Sequence, residues 1–216
     1  MTSSYSTDLK LELMVTGENA GTWGDNTNNN LNLVQQAVAG YEAISIAGGV
    51  QTTTLAMTDA TISNARNAVI KFTGTITGNQ TVTIPDGIEK TYILENGTTG
   101  AFTVEFKTVS GTGPTFSTTD KGIKLLFSDG TNVVDILSNV SHINLVNQNE
   151  VRFEDASGGE YVGLKAPTTV SSSVSFALPG ADGSSGNGIT TDGSGNLNFT
   201  DVASTGKAIA MALVFG

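Results

Sequence analysis

The side chains in this sequence with the greatest capacity for chemistry are carboxylates. Glu150, Glu154, Asp155 and Glu160 fall within eleven residues, and two such groups held about 5 Å or about 7 to 9 Å apart are the machinery of glycoside hydrolysis. Acidic residues near strand ends are also simply solvated, and sequence spacing sets no separation between them. His142 is the only histidine. A hydrolase triad built on it would need a nucleophile and an orienting acid at matching geometry, and neither Ser185 nor Ser194 has glycines at both positions of a nucleophile elbow. Its place in the run SHINLVN reads instead as a strand histidine. Gly111/Gly113 and Gly186/Gly188 lack the third glycine and the following helix of a phosphate-cradling loop. The stretch from Asp25 to Asn32 has the composition of a calcium loop without its central glycine or twelfth-position glutamate, so helix capping accounts for it better. Asp192-Gly-Ser-Gly-Asn196 reads as a hairpin turn. The expectation is a chain with no catalytic residue, no metal site and no cofactor.

The elements that would carry these groups are mostly strands. Leu9, Leu11, Leu13 and Val15 alternate with polar residues and predict a short half-buried strand, followed by the Gly-rich turn TGENAGTWGD. From Asn28 to Ala39 the period changes. Leu31, Val34, Val38 and Tyr41 recur every three or four residues, with Thr27 placed to cap and Gly40 placed to stop a helix. Trp23, the sole tryptophan, precedes it and reads as a core plug over the helix. Between 43 and 140 short β-branched runs such as AVIKFTGTI, KTYILEN, FTVEFKT and IKLLFS are separated by Pro85-Asp86-Gly87, Asn96-Gly97 and Asp129-Gly130, a spacing that predicts a sandwich-like or barrel-like domain. From about 141 the strands INLVNQ, EVRFEDA, EYVGLKA, VSFALP and NLNFTDV are short and separated by Gly- and Ser-rich tracts. So few large apolar groups in about 75 residues would hardly make a private core. Packing against other copies is therefore expected.

Composition agrees with a mainly β chain. Thr, Ser, Asn and Gly supply 94 of the 216 residues while charged residues supply 14%, a mixture that favours strands and turns over helices. The absence of cysteine removes disulfides and thiolate metal sites. A net charge of -10 with ten scattered basic residues argues against nucleic acid as a partner. No apolar run reaches the length of a bilayer span, and the first residues lack the blocks of an export signal; no membrane insertion is expected. The run GKAIAMALVFG places Ile209, Met211, Leu213 and Phe215 on one side of a strand and small residues on the other, which suits a strand inside an assembly.

The stretch TGENAGTWGDNTNNNLNLVQQAVAGY resembles an N-terminal signature of tail-fibre-like structural proteins of tailed bacteriophages. The run TTTLAMTDATISNARNAVIKFTGTITGNQTVTIP, with KTYILENGTTG and LLFSDGTNVVDIL, is similar to the β-domain that follows that signature. EVRFEDASGGEYVGLKAP, VSFALPGADGSSGNG and TTDGSGNLNFTDV resemble a module that recurs in fibre shafts. The resemblance implies a β-rich homotrimer with an attachment segment over 1–42, a β-domain over 43–140 and an extended, intertwined module over 141–216. It also implies a virion location after assembly in the host cytoplasm, contacts with tail or capsid proteins, and a host receptor or glycan as a further partner. Residues expected at the docking or subunit interface are Gly17, Trp23, Gly24, Leu31, Val34, Val38, Ile209, Met211, Leu213 and Phe215. A capsid decoration protein and a glycan depolymerase are the competing readings.

Overall fold

The structure is a computed structural model that describes residues 3–202 and 213–214. The chain divides into two compact units, Met1–Ile143 and Asn144–Gly216.

The first unit begins with a small strand pair, β1 (Ser4–Tyr5) and β2 (Glu12–Leu13). The alternation from Leu9 to Val15 thus yields only two strand residues, because the arm is held through side chains of the following helix as much as through a ladder. Helix α1 (Trp23–Ala39) begins five residues earlier than its apolar period suggests. Thr27 is no cap. Its hydroxyl donates to the Trp23 carbonyl at 2.8 Å, inside the helix.

Six strands then alternate between two sheets. β3 (Tyr41–Ser45), β5 (Val69–Thr73) and β7 (Glu89–Asn96) lie parallel in one; β4 (Gln51–Thr54), β6 (Gln80–Ile84) and β8 (Val104–Thr108) lie parallel in the other. Tyr41 pairs with Val69 and Val69 with Ile93, 28 and then 24 residues on. The chain therefore winds through three rungs of a two-sheet solenoid. β9 (Thr115–Phe116) closes the second sheet, and β10 (Ile123–Asp129) with β11 (Val133–Asp135) adds antiparallel strands to the first. Asp129-Gly130 makes the hairpin between β10 and β11, whereas Asn96-Gly97 and Pro85-Asp86-Gly87 turn corners between sheets.

Alternation along each strand sends one set of side chains between the sheets. Ile70, Phe72, Tyr92, Leu94 and Leu126 from the first sheet meet Val82, Ile84, Val104, Phe106 and Phe116 from the second, all fully buried. Phe106 packs edge-on to Tyr92 at 5.5 Å between ring centroids and tilted to Phe72 at 6.1 Å. The corners stack through polar groups: the Thr99 hydroxyl donates to that of Thr75, and the Gln80 amide donates to the carbonyls of Gly49 and Gly78.

The described residues of the second unit form two hairpins. One pairs β12 (Val151–Glu154) with β13 (Tyr161–Leu164), the other β14 (Asn187–Thr191) with β15 (Leu197–Asp201). Two expected strands are absent. INLVNQ, and with it His142, has no strand backbone, and VSFALP contributes a single bridge, Ala177 to Asn196. Without a covered face, neither run finds a partner ladder. β14 comes from within the Gly- and Ser-rich tract.

Candidate interaction surfaces

Helix α1 is built inside out. Its inward residues are Asn26, Asn29, Asn30, Leu33, Gln36 and Ala37, of which only Leu33 is fully buried. Asn30 pairs with Glu12 as a strand would, its Oδ1 accepting from the Glu12 N–H at 3.0 Å and its Nδ2 donating to the Glu12 carbonyl at 2.8 Å. Asn29 donates to the Ala60 carbonyl, and Asn26 to the Glu12 carboxylate. Gln36 Oε1 accepts from the Ser63 N–H and from Arg66.

Apart from Leu33, the large apolar residues of the helix face outward. Trp23 is 62% exposed, Leu31 61% and Val38 75%, with Val34 also exposed. Trp23 is therefore not a core plug. Starting the helix a turn earlier and docking it by its amides turns the indole to solvent. Gly24 lies on the helix surface with open space beside it, and Gly17 occupies a turn with φ +85°.

Arg66, fully buried, ties this region together, and nothing in the sequence marks it. Its guanidinium donates to the carbonyls of Leu9 (3.0 Å), Thr58 (2.8 Å) and Thr61, and to Gln36 Oε1. Burial pulls its pKa down. Lys90 is half-buried against the Tyr92 ring, 4.1 Å from its centroid, and donates to the Asn67 and Thr91 carbonyls. Burial pushes its pKa down to about 8.

The candidate carboxylates are engaged locally. Asp155 Oδ1 accepts from the Ser157 hydroxyl and from the Ser157 and Gly158 N–H groups, and these bonds hold its pKa low. Burial raises the Glu150 pKa, but bonds from Arg152 and Tyr161 outweigh it and leave the group below its ordinary value. A general acid needs the opposite shift. Glu154 and Glu160 line a shallow groove with Phe153, Asp155, Tyr161 and Val162. Asp192 accepts from Ser194 and Asn196 and shapes the β14–β15 turn. Among the described residues no group of three or more His, Cys, Asp or Glu is placed to hold a metal ion, and no helix is long and apolar enough to cross a membrane.

Cross-strand register gives the first C-terminal hairpin an apolar face and the second an apolar pair. Val151 opposes Leu164 and Phe153 opposes Val162; in the other hairpin Ile189 opposes Phe199. The side chains of all six are exposed, and no residue from 144 to 202 is buried. The signal for these faces was present in the alternation of EVRFEDA, though not their lack of cover. At the C-terminus, Leu213 and Val214 have helical backbone and Leu213 is 81% exposed, so these two residues do not continue a strand. Ile209, Met211 and Phe215 lie outside the described residues.

No family model, curated protein or solved structure to which the chain was compared matches it.

Proposed function

We propose that the chain is a structural subunit of a bacteriophage virion, a tail-associated fibre or fibre-adaptor protein that works as a homotrimer and supports host adsorption. One observation carries the assembly part of this reading. The hairpins of the second unit leave Val151, Phe153, Val162, Leu164, Ile189 and Phe199 exposed to solvent, and nothing between 144 and 202 is buried. A β-hairpin alone in water is marginal, and exposed apolar strands are an aggregation hazard. Cover from further copies of the chain removes both problems, and a closed rotational arrangement leaves no face over. The phage assignment is supported by the resemblance of TGENAGTWGD and of the fibre-like stretches after it.

Light scattering at micromolar concentration tests the assembly, with a mass three times 22.2 kDa expected. A monomer refutes it. Gold-labelled antibody on intact particles tests the location. Label at the tail in multiples of six supports the proposal, and label over the whole capsid replaces it with a decoration role.

A further inference from the structure

We infer that α1 forms a parallel helical seam with the α1 helices of the other copies in the assembly proposed above. Of the large apolar residues of α1, Leu33 alone is buried against the chain, while Trp23, Leu31, Val34 and Val38 are exposed and the helix's amides make the intrachain bonds. That arrangement reverses the usual one, in which the apolar stripe of a helix faces its own core.

The pattern of the stripe points to a like helix as its occupant. Leu31, Val34 and Val38, with half-buried Thr27 four residues before them, follow the alternating four- and three-residue steps of a two-position heptad seam. From Thr27 to Val38 such a seam runs for about 17 Å. Charge agrees with self-contact. Asp25 is the only ionised residue in the helix, and Asn28 and Gln35 flank the stripe with neutral amides. In a chain of net charge -10, this is a surface on which identical copies meet without repulsion between like charges.

The exposed groups are also clustered. Trp23, Leu31, Val34 and Val38 lie within an arc of about 80° on the helix surface, and grouped apolar exposure of this kind marks an interaction site. Parallel packing follows from rotational symmetry about one axis. The uncovered hairpin faces require the same copies, so one assembly serves both surfaces.

Because the chain has no cysteine, disulfide trapping in the full chain reads this contact directly. Leu31→Cys, Val34→Cys and Val38→Cys are oxidised separately and run on non-reducing gels, with folding checked by circular dichroism. Each is expected to give a covalent dimer. Asn32→Cys, exposed but about 130° around the helix from the stripe, is expected to stay single-chain. Crosslinking at Val34 alone indicates antiparallel contact and overturns the parallel seam. No crosslink at any of the three in a protein that still scatters as an oligomer assigns the stripe to a different partner and overturns the inference, while the homotrimer stands. A chain that scatters as a monomer removes both.

Discussion

Buried Arg66 and half-buried Lys90 show how single cations set the stability of the first unit. The Arg66 guanidinium is the common donor for the N-terminal arm, α1 and the 58–61 loop. Replacing it by Met leaves several buried acceptors unpaired, and a loss of about 3 kcal/mol is expected, measured as a shift in the urea midpoint. Arg66→Lys is not expected to restore it, since a compact ammonium cannot span the same fork of acceptors. Lys90 acts through pH. Its folded-state pKa is about 8 against an ordinary 10.5, so between those values the unfolded chain holds a proton that the folded chain has released. Stability from this group therefore rises with pH across that window. Tyr92 works against it above pH 10, because burial raises its pKa and its ionisation favours the unfolded chain. Melting temperatures at pH 7.5 and 9.5 should show the Lys90 gain in the native protein and lose it in Lys90→Met.

At the scale of elements, the rungs depend on corners that only certain residues can turn. Gly100 has φ +104°, and a Cβ there would be driven against the Ile76 carbonyl of the rung before. Gly100→Ala combines backbone strain with a steric conflict and is expected to cost about 3 kcal/mol, read by thermal denaturation. Helix α1 depends on the amides beneath it. Asn30→Ala removes both bonds to Glu12 and should release the β1–β2 arm, seen as faster hydrogen exchange at Leu11 and Glu12 with the solenoid core unchanged.

For the whole molecule, the two units differ in what they can do alone. The first encloses a contiguous core of seventeen buried apolar residues; among the described residues of the second, none is buried. Residues 1–143 expressed alone should melt cooperatively and keep the β signal. Residues 144–216 alone should be unfolded at low concentration and gain structure as concentration rises, as obligate assembly requires. A sharp transition of the second fragment independent of concentration would show a private core and contradict this.

Strand content, the helix near residue 30 and the turn at Asp192 were legible from residue type, because β-branched periodicity, a three-to-four period and Asp-Gly chemistry act over a few neighbours. The sheet assignment was not. Parallel pairing of Tyr41 with Val69 and of Val69 with Ile93 joins residues 28 and 24 apart, and neither hydrophobic alternation nor turn chemistry reports which strand lies beside which. The helix makes the point most sharply. Its apolar period marked the stripe through Leu31, Val34 and Val38, but which face would meet the domain depended on Asn30 finding the backbone of Glu12 and on Gln36 finding Arg66. Those partners are 18 and 30 residues away. Local pattern therefore determined what each segment becomes. Only the tertiary structure decided which surfaces it buries and which it leaves uncovered, because that choice rests on contacts between residues remote in the chain.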